Sequence, residues 1–142
     1  MIEESLYAFI TTNPAIIAAL GGTRSDKTSG VFPDIAPDEC LTPYIVYLQV
    51  SGEPLAESFA GTGALQRSRW RFACSGATKK QAKKLANVLK VELLSMDGPQ
   101  ASGGVEIHGA WLRLEADTVE PMLMGTIKST NVDFDFVYLD AA

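Results

Sequence analysis

The chain reads as a mixed α/β protein of the α+β kind: a mainly antiparallel sheet of four or more strands with helices packed on one face. Three observations predict this. Trp70, Phe72 and Cys74 alternate with Arg67, Arg69 and Arg71, the period of a strand with one buried face. The period then lengthens once, and Ala82, Leu85, Ala86, Leu89, Leu93 and Met96 form one stripe along a helix. Near the C-terminus Val132, Phe134, Phe136 and Tyr138 alternate with Asp133 and Asp135, a second strand with one apolar side. A strand that passes straight into an amphipathic helix is the core of an α/β layer.

In chain order, Leu6, Phe9 and Ile10 mark a short first helix. Asn13-Pro14 restarts it, with Asn13 as cap and Pro14 at the first helical position, and Gly21-Gly22 stops it. Thr23 to Thr42 has polar clusters, two prolines and no period, and is expected to be a long loop, ordered by a partner or serving a function. Tyr44 to Val50, β-branched and aromatic after Pro43, is expected to be a strand. Ser51 to Gly63, with Gly52, Pro54, Gly61 and Gly63, reads as a second irregular connection before the alternating strand that ends near Cys74. Thr78-Lys79-Lys80-Gln81 is a capping box that opens the long helix, and Asp97-Gly98-Pro99 closes it. Gly103-Gly104 leads into a strand carrying Val105, Ile107 and Trp111 to about Leu114, and the last strand runs from about Thr126 to Leu139.

The length of 142 residues and an apolar share of 46% suit one domain, 1–142, that buries a core without metals or disulfides. Net charge is −5, from twelve basic and seventeen acidic residues, which argues against nucleic-acid affinity driven by overall charge. The two cysteines, Cys40 in a loop and Cys74 on an apolar strand face, read as a reduced pair, with Cys40 the reactive one. The start Met1-Ile2-Glu3-Glu4 is acidic where a signal peptide is basic, and no apolar run has the length to cross a bilayer. The expectation is a soluble protein that works inside a cell, with no membrane contact.

No catalytic constellation is legible. His108 is the single histidine, which excludes a multi-histidine metal site, and a Cys-His nucleophile requires Cys40 or Cys74 to meet it in space. The plain reading of His108 is a solvent-facing strand residue. Glu3-Glu4, Asp38-Glu39 and Asp133/Asp135 are carboxylate pairs, but acid-base work needs one carboxylate in an apolar pocket; caps and surface charges explain them. Gly61-Thr62-Gly63 precedes a strand and lacks a following Gly-Lys-Ser/Thr, so it is a turn and not a phosphate loop. Lys79, Lys80, Lys83, Lys84 and Lys90 give the long helix a basic face, either solvated or set against an acidic partner. The Arg67, Arg69, Arg71 row is sharper, because three guanidinium groups on alternate strand positions project together and call for anions opposite. Asp133 and Asp135 are the candidates, within the subunit or across a subunit interface.

The sequence also carries a resemblance. Met1-Ile2-Glu3-Glu4-Ser5-Leu6-Tyr7-Ala8-Phe9, then Thr42-Pro43-Tyr44-Ile45-Val46-Tyr47 with Val50-Ser51-Gly52-Glu53-Pro54, then Arg71-Phe72-Ala73-Cys74 and the helix of Lys79, Gln81, Ala82, Leu85 and Ala86, resemble in order the tail-completion or tail-terminator family of long-tailed bacteriophages. The resemblance implies a virion protein of the tail or neck, assembled in the host cytoplasm, that closes the tail tube as a homohexameric ring and joins it to the head connector or neck protein. It implies a non-enzymatic role with neither cofactor nor metal, and a tail-terminator-like domain over 1–142. DNA is expected to pass through the lumen without specific binding, which an acidic wall would favour by repelling phosphates. The candidate interface residues are Arg67, Arg69, Arg71, Asp133 and Asp135, with Glu53, Pro54 and Phe59 from the second long connection. Three alternatives remain: another neck or head-tail adaptor, a small hydrolase using His108, and a small nucleic-acid-binding module. The last would use the arginine strand with Trp70 and Phe72, although alternation puts those aromatics on the opposite face.

Overall fold

The computed structural model describes residues 2–22, 28–36, 41–57, 64–100, 105–122 and 125–140, with backbone only at 53–57, 64, 118–122, 125–127 and 140. Phe59, Cys40, Asp38, Glu39 and the 61–63 turn lie outside the described residues. Helix α1 (Ile2–Thr12) is followed by α2 (Pro14–Ala19), then strands β1 (Val31–Pro33), β2 (Tyr44–Glu57) and β3 (Ala64–Gly76), helix α3 (Lys79–Leu94), and strands β4 (Gly98–Pro99), β5 (Val105–Met122) and β6 (Gly125–Asp140). The six strands form one sheet in the order β1-β2-β3-β6-β5-β4. Only β1 and β2 run parallel; every other neighbouring pair is antiparallel, so the expected α/β class is the observed one.

Helices α2 and α3 start where side chains satisfy free backbone amides. Asn13 Oδ1 accepts from the Ala15 and Ile16 amides at 3.0 and 3.2 Å, while its Nδ2 donates to Glu92 of α3 at 2.9 Å. At α3 the Thr78 hydroxyl accepts from the Gln81 amide at 3.1 Å, but the Gln81 side chain reaches back to the amide of Ala77, at 2.8 Å, and not to that of Thr78. Gly76 permits the abrupt change from strand to helix, since a Cβ there would sit 2.9 Å from the Ala82 amide nitrogen.

All three helices contribute to a core on one side of the sheet. Trp70, Phe72 and Cys74 of β3 and Val132, Phe134 and Phe136 of β6 meet Leu85, Leu89 and Leu93 of α3, with Leu6, Ile10 and Ile16 from the N-terminal helices. Each such leucine contributes about 2 kcal/mol of transfer free energy. Phe134 stacks on Phe136 at 6.0 Å between centroids, and Phe72 meets Phe134 edge-on at 6.4 Å. Among the described residues no helix is long and apolar enough to cross a membrane.

Four expectations about the connections change. The 23–42 segment is not all loop, because Val31–Pro33 pairs with Ile45–Tyr47 as a parallel edge strand too short to show a period. Of the expected irregular connection from Ser51 to Gly63, the part to Glu57 is strand and the rest lies outside the described residues: β2 continues to Glu57, absorbing its irregularity as register shifts between Gln49 and Ser51 and between Pro54 and Ala56. Pro54 is tolerated there because β1 covers β2 only as far as Tyr47, which leaves the rest of β2 at a sheet edge. Beyond Leu114, β5 runs on to Met122 and forms a long hairpin with β6, which itself begins at Gly125. Gly98–Pro99, expected only to end the helix, also pairs with Ile107 and Glu106 as a two-residue strand.

Candidate interface on the open sheet face

The helices cover one face of the sheet, and its other face carries a ladder of charge. Alternation along β3 sends Arg67, Arg69 and Arg71 to that side, and alternation along β6 sends Asp133 and Asp135 there too. Arg71 stands opposite Asp133 and binds it through two nitrogens, Nε to Oδ1 at 2.8 Å and Nη2 to Oδ2 at 3.1 Å. The other two arginines reach diagonally, Arg69 to Asp133 at 3.1 Å and Arg67 to Asp135 at 2.6 Å. The predicted meeting of the two rows is therefore made within one subunit. Its result is burial, with Asp133 only 1% and Asp135 3% exposed although no described helix lies over that face. Hydrogen bonding to Asp133 holds the Arg71 guanidinium above its ordinary value.

Two participants escape the sequence reading. Arg113 of β5 joins the ladder, its Nε 3.2 Å from Asp135, so that Asp133 and Asp135 together bind four guanidinium groups. Trp111 lies beside them, 50% exposed. Strict alternation would put Trp111 on the core side with Val105 and Ile107. A register shift between Ile107 and Gly109 inserts one residue and turns the strand over, so that Trp111 pairs with Asp135 on the open face. A second shift, between Leu112 and Leu114, releases Arg113 toward Asp135 and leaves Leu114 exposed opposite Asp133. Gly109 is the only signal of the first shift, and it has a second use: a Cβ there would meet the Trp111 ring at 2.6 Å, so glycine lets the indole lie against the strand.

The indole, Val137, Arg67, Arg113 and Asp135 enclose a cleft of 230 Å³. A neighbouring hollow of 150 Å³ is lined by Ser51, Arg67, Arg69, Arg113 and Asp135. Glu53 and Pro54 hold register positions opposite Arg67 and Gln66 on β2. The open face thus combines an apolar floor with a cationic rim, a surface suited to an acidic, partly apolar protein segment.

The other candidates fall apart in space. Cys74 is wholly buried in the core, where desolvation pushes its thiol far above the ordinary range, while His108 stands exposed near Glu106. Trp70 and Phe72 lie under α3, away from the arginines. Of the lysine face, Lys90 binds Glu115 at 2.9 Å, Lys83 binds Asp117 at 3.0 Å and Lys79 approaches Asp117 at 3.7 Å, a clamp between α3 and β5. The lysines thus largely meet acids of their own chain. Among the described residues no three His, Cys, Asp or Glu side chains cluster to hold a metal ion.

No protein-family model matches the chain, and no curated protein matches it. The fold does recur among solved structures. A chain in a structure titled "Virion of native gene transfer agent (GTA) particle" superposes with a TM-score of 0.64 at 15% sequence identity, over 96% of this chain and 92% of that chain.

Proposed function

We propose that this protein is a structural virion component that ends tail-tube growth as a homohexameric ring and joins the tail to the head connector. The observation that carries the reading is the fold shared over nearly the full length with a chain of a gene transfer agent virion, at a TM-score of 0.64. The ordered motif resemblance to tail terminators supports the same role. A tube elongates by stacking rings whose upper and lower surfaces match, and growth stops when a ring binds the top without reproducing it. The sheet supports such a two-ended part: the open end of the β2–β3 pair and that of the β5–β6 hairpin lie at opposite ends of β3. Its partners are then further copies of itself, the tail tube protein and a neck or connector protein, with DNA passing through the lumen. The role is non-enzymatic and its place is the tail or neck of the virion.

The test is genetic and visual. Deleting the gene is expected to leave filled heads without tails, beside tail tubes of irregular and often excessive length in electron micrographs. Tails of uniform length joined to heads in that deletion would overturn the reading. The alternative role, a neck or head-tail adaptor that leaves tube growth alone, gives unattached tails of normal length.

A further inference from the structure

Just past β1 the chain makes a tight corner. Asp34 adopts a left-handed conformation, φ 61°, which aspartate tolerates better than most side chains. Its amide donates to Tyr47 O at 2.9 Å, and the Ile35 amide donates to Pro33 O at 2.6 Å. These bonds hold Ile35 outward, 80% exposed, the most exposed large apolar side chain among the described residues. The neighbouring Asp34 is exposed too, and the Tyr47 hydroxyl to whose strand the corner is bonded is raised chiefly by burial and further by Glu3, Tyr7 and Asp34. An isoleucine presented to water at a bonded corner beside an exposed carboxylate is a knob with no hole among the described residues of its own copy.

The hole is on the open face. Trp111 and Val137 supply an apolar floor, Arg67 and Arg113 the walls, and the volume of 230 Å³ accommodates a side chain of isoleucine size. The two features cannot meet within one copy. β1 is one edge of the sheet, and β5 lies four strand spacings away, roughly 19 Å. We infer that the Asp34–Ile35 corner of one copy docks in the Trp111–Val137 cleft of the next, with Ile35 on the indole and Asp34 against Arg113. Because knob and hole are different surfaces, the contact is heterologous, and repetition closes a ring when the rotation per copy divides the circle. This rests on the ring reading above and supplies its subunit contact. Charge favours the pairing, since Arg113 at the cleft is half exposed and Asp34 at the corner is an exposed carboxylate.

The experiment places a photo-crosslinking phenylalanine at Ile35 of the full chain, with the same probe at exposed Val91 of α3 as control. After irradiation at rising protein concentration, the Ile35 probe is expected to give covalent oligomers joined to the tryptic peptide 91–113, which contains Trp111. Sedimentation velocity supplies the second arm. Asp34→Arg and Arg113→Asp are each expected to weaken self-association at least about fivefold, and their combination to recover most of it. Crosslinks from Ile35 only to peptides other than 91–113 and 129–142, the two that carry Trp111 and Val137, absence of oligomers up to about millimolar concentration, or saturable quenching of Trp111 emission by oligo(dT) at low salt would each overturn the contact. The failures are separable. Rings crosslinked elsewhere leave the tail role standing, whereas normal tails in the gene deletion remove that role and leave a crosslink between purified copies intact.

Discussion

Asp133 accepts from two arginines that retain access to water, so its removal strands donors that can partly rehydrate. Asp133→Ala is expected to lower stability by about 2 kcal/mol, read as a shift in the urea midpoint. A double-mutant cycle on Arg69 and Asp133 is expected to give a coupling energy above about 0.5 kcal/mol; strict additivity would mean that their contact at 3.1 Å is energetically empty. At Gly109 an added methyl collides with the Trp111 ring. Gly109→Ala is therefore expected to lift the indole from the strand and raise the iodide quenching of Trp111, while buried Trp70 stays protected. Cys74 is expected to resist brief alkylation of the native protein and to label fully only on unfolding.

At the scale of elements, α3 is held by two devices that respond to different insults. Its apolar stripe sets Leu85 into the core, so Leu85→Asp is expected to cost about 4 kcal/mol in a thermal or denaturant melt. Its lysines clamp Glu115 and Asp117, whose carboxyls are held below their ordinary values of 4.5 and 3.8, first by Lys90 and by Lys83 respectively. Lowered carboxylate values mean stabilisation that is fully present above the unfolded values and is lost as pH falls through the folded ones. The melting difference between parent and Glu115→Gln is accordingly expected to be largest near neutrality and to shrink as pH falls below the ordinary value of 4.5. What was legible in the sequence follows the same division. The stripe of α3 and the alternations of β3 and β6 carry strong periods, so helix, core face and both charge rows could be read directly. The faces of β5 could not, because two register shifts break its period and carry Trp111 and Arg113 to the side where the candidate site lies. β1 is too short for any period, and Gly52 and Pro54 look like chain breakers although an edge strand accommodates them.

Across the whole molecule, stability should fall from the middle of the sheet outward. β3 and β6 are paired on both sides and covered by α3, whereas β4 pairs through two residues and β6 before Lys128 pairs with β5 alone. Hydrogen exchange is expected to be slowest in β3 and β6 and fastest in β4 and the outer end of the β5–β6 hairpin. Uniform exchange across all six strands would contradict this order. The opposed hairpins carry one more consequence. The distance between the two ends of the protein is set by strand length, at about 3.3 Å per residue, and every residue added to a strand also exchanges its faces. Matched insertions of two residues in β3 and β6 would lengthen the molecule by about 6.6 Å with arginines still facing aspartates, whereas matched single insertions would turn part of that row into the core. Height is thus quantised by pleat parity: relatives of this protein can grow or shrink along the strands in even steps, and odd steps require a bulge such as those in β5.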